Sequence, residues 1–287
     1  MRIALYCIYT SPVYVFSNAK KKACASMSDE WMEDSFTREF SALGLSDWHV
    51  VVHSETASTM DEARTYISKG TVKPACIIAR QQHGGRGQQG REWRSLPGGF
   101  YCTYVLPLNA GISAVGFSLV TGVVIAQLLA DFGADTRLKW PNDILSLEGK
   151  KLAGVLTEVI PVASGQALLI GIGINFDNQV DPQIATSLEL LAVRRLEIHQ
   201  AAALLADNLQ KSLKSFIQDG LSAFLEAWNE RDYLLGRRIR IAVSNEEIEG
   251  FVSGISKQGA LLLRSGSAVR EIWSGHITEI YPEMLKD

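Results

Sequence analysis

The sequence predicts an α+β protein whose chain ends in a small β-barrel. Three observations carry this prediction. From Trp48 to about residue 235, apolar runs of strand length are interspersed with longer runs of helical period. After Gly236 only short apolar runs remain, separated by turn residues. Finally, 47% of the 287 residues are hydrophobic, enough to bury one large core with a small one attached. The organisation expected is an N-terminal extension over 1–45, a large unit over 46–235 and a barrel over 236–287.

The extension lacks sustained periodicity, apart from a short helix expected near Asp29 to Leu43, and shows no helix-turn-helix pattern. Arg2 and the apolar run Ile3 to Phe16 resemble a signal peptide, but Thr10, Ser11 and Pro12 interrupt the run. An upstream extension with Met27 as an alternative start is the better reading. From Trp48, "WHVVVHSET" reads as a strand. "STMDEARTYISKG" reads as a helix, with Thr59 and Glu62 in capping-box spacing and Gly70 closing it. "PACIIAR" is a buried strand that runs into a glycine-rich loop, and "GGFYCTYVLPL" is the next strand.

Between Arg94 and Asp131 there is no charged residue, so Ile112 to Leu129 has the length of a membrane span. It also contains Ser113, Gly116, Ser118, Thr121, Gly122 and Gln127, and it ends at Asp131 and Gly133 like a capped helix. A buried core helix is expected. Three short β segments follow at "TRLKW", "DILSL" and "KLAGVLTEVI", then the strand "QALLIGIGINF". "IHQAAALLADNLQKSLKSFI" and "GLSAFLEAWNERDYLL" read as helices. The barrel strands are "RRIRIAV", "EIEGFVSGI", "ALLLRSG", "VREIWSG" and "ITEIYP".

Charge and cysteine usage limit the partners. With 28 Lys+Arg against 31 Asp+Glu the formal charge is −3, which provides no global cationic field for a nucleic acid or an anionic membrane. Anion binding must therefore be local. Cys7, Cys24, Cys76 and Cys102 are scattered, without the paired spacing of a zinc site or the density of a secreted scaffold. They read as reduced thiols of a cytoplasmic protein.

The loop "HGGRGQQGREW" satisfies G-x-G-x-x-G through Gly85, Gly87 and Gly90, and it nearly satisfies the P-loop. Neither context holds. A dinucleotide fingerprint needs a helix directly after its glycines and an acidic residue about twenty positions on, whereas Pro97, Gly98 and Gly99 follow here and no Asp or Glu occurs between Glu92 and Asp131. Arg91 and Glu92 stand where a P-loop needs Lys and a hydroxyl. The glycines instead free the backbone to wrap a ligand, and Arg86, Arg91 and Arg94 supply cationic forks for carboxylate or phosphate. Taken alone, the stretch also reads as a solvated basic loop.

Two further stretches add to it. Lys139-Trp140-Pro141-Asn142-Asp143 is a tight turn that sets a cation beside an amide and a carboxylate, with Lys151 on the next strand. By itself this is an ordinary surface pairing. Gly171 and Gly173, at the end of the "GIGIN" strand, remove side chains twice in three residues, which suits the approach of a flat ligand or a bulge. Two cationic groups, a carboxylate for a metal and glycine walls suit an ATP-dependent activation of a carboxylic acid.

"GRGQQGREW", "KWPNDIL", "KLAGVLTE" and "GIGIN", in this order and followed by a small barrel containing "KQGALLL", resemble the biotin protein ligases. The resemblance covers the chain from about Trp48 onward. It implies a mixed sheet with helices on one side, as in the class II synthetase-like biotin/lipoate ligases, and an SH3-like C-terminal barrel. It implies two-step chemistry: biotin and ATP give biotinyl-5'-AMP and pyrophosphate, and a lysine of a carboxylase's biotin carrier domain then takes the biotinyl group.

Arg86 and Lys151 are the expected catalytic residues, neutralising the carboxylate and the α-phosphate. The resemblance implies that Ser58, Thr59 and Gln82 hold the ureido ring, whose oxygen and nitrogens need both donors and acceptors. Met60, Gly87, Gln88, Gly154, Leu156 and Gly173 complete the biotin side. Arg91, Trp93, Lys139, Asn142 and Asn175, with Arg86, form the ATP side, and Asp143 is the magnesium ligand. The sequence departs from the family where Met60 replaces a common Asn and Gln88 replaces the usual Arg. The resemblance implies a monomer or weak homodimer with no nucleic-acid or membrane partner. A lipoate protein ligase is the nearest alternative, and a non-catalytic biotin or nucleotide sensor is the alternative of another class.

Overall fold

The computed structural model describes residues 31–281, apart from 71, 193 and 245. Cys7, Cys24, Met27 and the signal-like run lie outside the described residues. Two sheets organise the chain. The larger has seven strands: β1 (His49–His53), β2 (Ala75–Ala79), β3 (Phe100–Leu108), β4 (Arg137–Lys139), β5 (Asp143–Leu145), β6 (Lys151–Val162) and β7 (Gly165–Ile174), in the order β1-β2-β3-β7-β6-β5-β4. Its β1–β2 pair is parallel and all other pairs are antiparallel, so the sheet is mixed.

Burial of both faces is written into β2, whose five residues Ala-Cys-Ile-Ile-Ala are all buried. Cys76 and Ile78 point to one face, where α1 (Glu33–Ala42), α3 (Phe117–Asp131) and α4 (Ile198–Asp219) form the main core. Ala75 and Ile77 point to the other, where α2 (Thr59–Ile67) packs Met60, Ala63 and Ile67 against Val105, Ala167 and Leu169. The helices are therefore not confined to one side. The single short helix on the second face leaves the rest of it uncovered, and the candidate site lies there.

The long apolar run forms α3, but starting at Phe117 rather than Ile112, because Gly116 takes a left-handed φ of 88°. It ends before Gly133, whose φ of 85° suits a helix terminus. Val120, Ile125, Leu129 and their neighbours are buried, each contributing about 1.5–3 kcal/mol of transfer free energy. Packing against the sheet and α4 thus accounts for the apolar composition. No helix among the described residues is long and apolar enough to cross a membrane.

Two local expectations need correction. Ser58 is the N-cap of α2 and makes no side-chain cap bond, and the Thr59–Glu62 capping box does not form. Glu62 instead accepts a 2.7 Å hydrogen bond from Thr56 Oγ1, and Thr59 turns towards the sheet. The helix expected from Gly220 onward breaks into a 3-10 segment, Gly220–Phe224, and the short α5, Leu225–Asn229. Edge strand β4 is the reason: Leu138 N donates to Arg231 O and Tyr233 N donates to Leu138 O, drawing residues 231–233 into extended pairing.

The smaller sheet contains β8 (Arg238–Val243), β9 (Glu246–Ile255), β10 (Leu261–Ser265), β11 (Ala268–Ile272) and β12 (His276–Ile280). It is antiparallel, in the order β11-β10-β9-β8-β12, as an SH3-like barrel requires. Ile239, Ile241, Ile248, Val252, Leu261 and Leu263 fill its interior. Trp140 Nε1 donates a 3.0 Å hydrogen bond to Gly259 O, which fixes the barrel beside the β4–β5 turn.

Candidate active site

The glycine loop folds as a tight hairpin. Gly87 N donates to Arg91 O at 2.7 Å and Trp93 N donates to Gly85 O at 2.9 Å, around a 3-10 turn over Gln88–Gly90. A Cβ at Gly85 would stand 2.5 Å from Trp93 O and 2.6 Å from Ser95 Oγ, so the two arms can close only because residue 85 has no side chain. Gly90 supplies the left-handed φ of 73° that returns the chain, and Gln89 also takes a left-handed φ, 57°. The hairpin hangs over the uncovered part of the large sheet.

Beneath it, β6 and β7 place Gly154 directly opposite Gly173. The Trp93 indole lies on this glycine floor: a Cβ at Gly173 would be 2.5 Å from its Cε2, and one at Gly154 would be 2.9 Å from its Cζ3. The Nε1 atom of Trp93 is buried without a hydrogen-bond partner. Lys151 Nζ stands 5.1 Å from the ring centroid, within cation–π range.

The start of α2 closes one end. Gln82 Oε1 accepts hydrogen bonds from Thr59 N (2.8 Å) and Thr59 Oγ1 (3.2 Å), and Gln82 Nε2 donates to Ser95 Oγ (2.8 Å). Thr103 Oγ1 on β3 donates to Thr59 Oγ1 at 2.9 Å. These bonds hold a polar corner of hydroxyl and amide groups in one arrangement.

The opposite end is cationic. Lys139 and Asp143 face each other across the β4–β5 turn, and Lys151 Nζ approaches Asp143 Oδ1 to 2.7 Å. Asn142 Nδ2 donates to Val155 O at 2.7 Å, tying the turn to β6. Burial holds the Lys139 ammonium below the usual lysine range; Asp143 opposes this shift and the charges of Lys151 and Arg91 reinforce it. His276, from β12, is likewise held below its ordinary value by burial and then by Arg91 and Lys139. Four basic side chains thus surround one carboxylate, an arrangement suited to a polyanion.

At the rim, Arg86 Nη2 donates to Asp61 Oδ1 at 2.5 Å. The bond to Arg86 is the main reason the Asp61 carboxyl lies below its usual range, and the same bond raises the Arg86 guanidinium.

Most of these groups line one cleft of about 230 Å3, open to solvent. It brings together Ser58, Thr59, Met60, Gln82, Arg86, Gly87, Gln88, Arg91, Trp93, Lys139, Asn142, Asp143, Lys151, Gly154, Leu156 and Gly173. Asn175 is not among the cleft-lining residues. It is buried behind the wall, where its Nδ2 donates to Lys151 O at 3.4 Å and its Oδ1 accepts from Asn178 Nδ2 at 3.1 Å. Arg94 is exposed and lies outside the cleft lining. Sequence reasoning missed Gly275, His276 and Ile277, which the barrel contributes to the wall, and Val155 and Ile172. The β pattern of the barrel gives no sign that its β11–β12 turn reaches the large sheet. Among the described residues no group of three His, Cys, Asp or Glu could hold a metal ion by itself.

Residues 53–175 match the Biotin/lipoate A/B protein ligase family, and residues 234–277 match the Biotin protein ligase C terminal domain. A biotin--[acetyl-CoA-carboxylase] ligase of Paracoccus denitrificans is 32% identical over 233 residues, which cover 76% of this chain and 95% of that protein. The chain belongs to the biotin protein ligase family. The bifunctional ligase/repressor BirA of Escherichia coli K12 is 37% identical over 213 residues, 71% of this chain and 65% of the relative. The match thus spans about two thirds of the length of that bifunctional relative. Among solved structures, the biotin protein ligase from Aquifex aeolicus in complex with biotin and ATP aligns with a TM-score of 0.67 at 25% identity, over 80% of this chain and 97% of that one. The family's two matched regions correspond to the two sheets, and the cleft lies where they meet.

Proposed function

We propose that the chain is a biotin protein ligase that activates biotin with ATP and transfers it to a lysine of a carboxylase's biotin carrier domain. The observation that carries this reading is that one cleft is lined by a polar corner, a glycine floor and a cationic end. A ureido ring needs the first, a flat apolar ring system the second, and a carboxylate meeting a triphosphate the third.

In the first step a biotin carboxylate oxygen attacks the α-phosphorus, forming the P–O bond of biotinyl-5'-AMP and releasing pyrophosphate. Arg86 and Lys151 offset the repulsion between the two anions and stabilise charge on the bridging oxygens. Lys139, Arg91 and His276, which line the same cleft, would offset the negative charge gained by the departing polyphosphate. Asp143, beside Asn142, would hold a magnesium ion that accompanies ATP, whose charge would shield the phosphates. In the second step the carrier lysine attacks the acyl carbon, AMP leaves, and the amine's proton passes to solvent or phosphate.

This reading divides the chain into a catalytic unit over 46–235 and a barrel over 236–287, and makes it a cytoplasmic monomer or weak homodimer without a nucleic-acid partner; the formal charge of −3 supports the last point. Lipoate ligases share the first matched family; the match of residues 234–277 to a biotin ligase domain favours biotin. The test is incubation with magnesium, ATP, biotin and a biotin carrier domain, followed by mass measurement of the carrier. Addition of one biotinyl group supports the reading. Pyrophosphate release with lipoate but not biotin reassigns the acid, and binding without turnover makes the protein a sensor.

A further inference from the structure

Gln88 gives the hairpin a neutral amide at a turn that has to stay closed over an intermediate, and the hairpin's glycines make closure entropically costly. The structure contains an anchor elsewhere. Asp61, on the first turn of α2, accepts from Arg86 of the hairpin and from Arg64 of its own helix through the same oxygen, each at 2.5 Å. Arg64 Nη2 in turn contacts both carboxylate oxygens of Glu158 on β6, at 2.7 and 2.6 Å. A continuous chain of opposite charges therefore runs from the sheet, through α2, to the hairpin. Its members are 32–45% exposed, so each link is weak alone, but they share partners and act as a network.

Asp61 engages one nitrogen of Arg86. A guanidinium has five N–H donors in a rigid fork, so the remainder can still turn into the cleft that Arg86 lines. We propose that Asp61 is a positioning residue: buttressed by Arg64 and Glu158, it latches the hairpin through Arg86 and sets that guanidinium at the cleft, taking over the anchoring that a charged residue at position 88 would provide. The inference deepens the biotin ligase reading and rests on it for the identity of the intermediate. The latch itself belongs to the ligand-free protein.

Two measurements separate the two. The first needs no ligand: amide hydrogen exchange across residues 84–95 in the native protein and in Asp61→Asn, Asp61→Glu and Arg64→Gln. Loss of the latch should speed hairpin exchange about threefold to fivefold, as expected for an exposed charge network, with partial rescue in Asp61→Glu and unchanged exchange in α3. The second is dissociation of biotinyl-adenylate without carrier, which should accelerate by a similar factor in Asp61→Asn and Arg64→Gln. Native exchange rates in the hairpin of both variants would overturn the latch, whatever the ligand. Faster exchange with an unchanged adenylate off-rate would overturn its part in retention. Failure of the native protein to form any adenylate counts against the biotin reading and leaves the exchange test decisive for the latch.

Discussion

Replacing Gly173 by Ala adds one methyl group to the floor of the cleft. The new Cβ would lie 2.5 Å from Trp93 Cε2, 2.6 Å from Nε1 and 2.8 Å from Cζ2, where ordinary contact begins near 3.4 Å. The indole must therefore withdraw by about 0.9 Å or more. Its backbone cannot follow, because Trp93 N is bonded to Gly85 O and Trp93 O accepts from Ser95 Oγ. The ring has to pivot about its side-chain torsions, and its unpartnered Nε1 loses no hydrogen bond in doing so. Overpacking of this kind costs about 1–3 kcal/mol. The strain should appear as a fall of a few degrees in Tm and, because the displaced ring lines the cleft, as about a tenfold loss of biotin or ATP affinity. Titration calorimetry reads the affinity, and tryptophan emission reports the ring. Native affinities together with native emission would refute the claim that the glycine floor exists to bring a flat group close to the sheet.

Lys151→Ala removes the cation 2.7 Å from Asp143 and should slow pyrophosphate release about ten- to hundredfold, the worth of a charge-assisted contact; an unchanged rate would remove Lys151 from the chemistry. Gln88→Arg restores a charged fork to the hairpin and should slow release of biotinyl-adenylate in the absence of carrier, measured by filter trapping, with transfer to carrier little changed. In the barrel, the Tyr281 hydroxyl and then Arg240 depress the Glu249 carboxyl to about 2. A depressed folded-state pKa stabilises above the ordinary carboxylate range and loses that contribution as pH falls towards about 2. Glu249→Gln should therefore lower Tm at neutral pH, and thermal melts should show the gap narrowing below pH 4.5.

Elements with a strong local signature were legible in the sequence. The alternation of the barrel strands, the wholly apolar "ACIIA" strand and the Gly133 terminus of α3 all reflect demands that neighbouring residues meet among themselves. Tertiary competition misled the reading elsewhere. Thr59 and Glu62 have capping-box spacing, yet Gln82 and Thr103 offered Thr59 better partners across 23 and 44 residues of chain. Residues 231–233 have helical neighbours, but the unpaired edge of β4 captured them. Asn175 carries the right chemistry for a ligand, but its side chain is buried and bonds to Lys151 O and Asn178, which only the folded chain shows. Asp61, Arg64 and Glu158 look like ordinary surface charges until the hairpin, the helix and the strand are placed together.

The β11–β12 turn carries Gly275 and His276 into the wall of the cleft, while Trp140 reaches the other way to Gly259. The barrel is consequently not a cassette that could be exchanged for that of a relative. A graft would replace part of the cleft wall, including the His276 position beside Lys139 and Arg91, so a chimera with two well-folded halves could still bind its anions poorly. A substitution on the barrel near this turn is a substitution in the cleft itself, wherever the two halves share that wall.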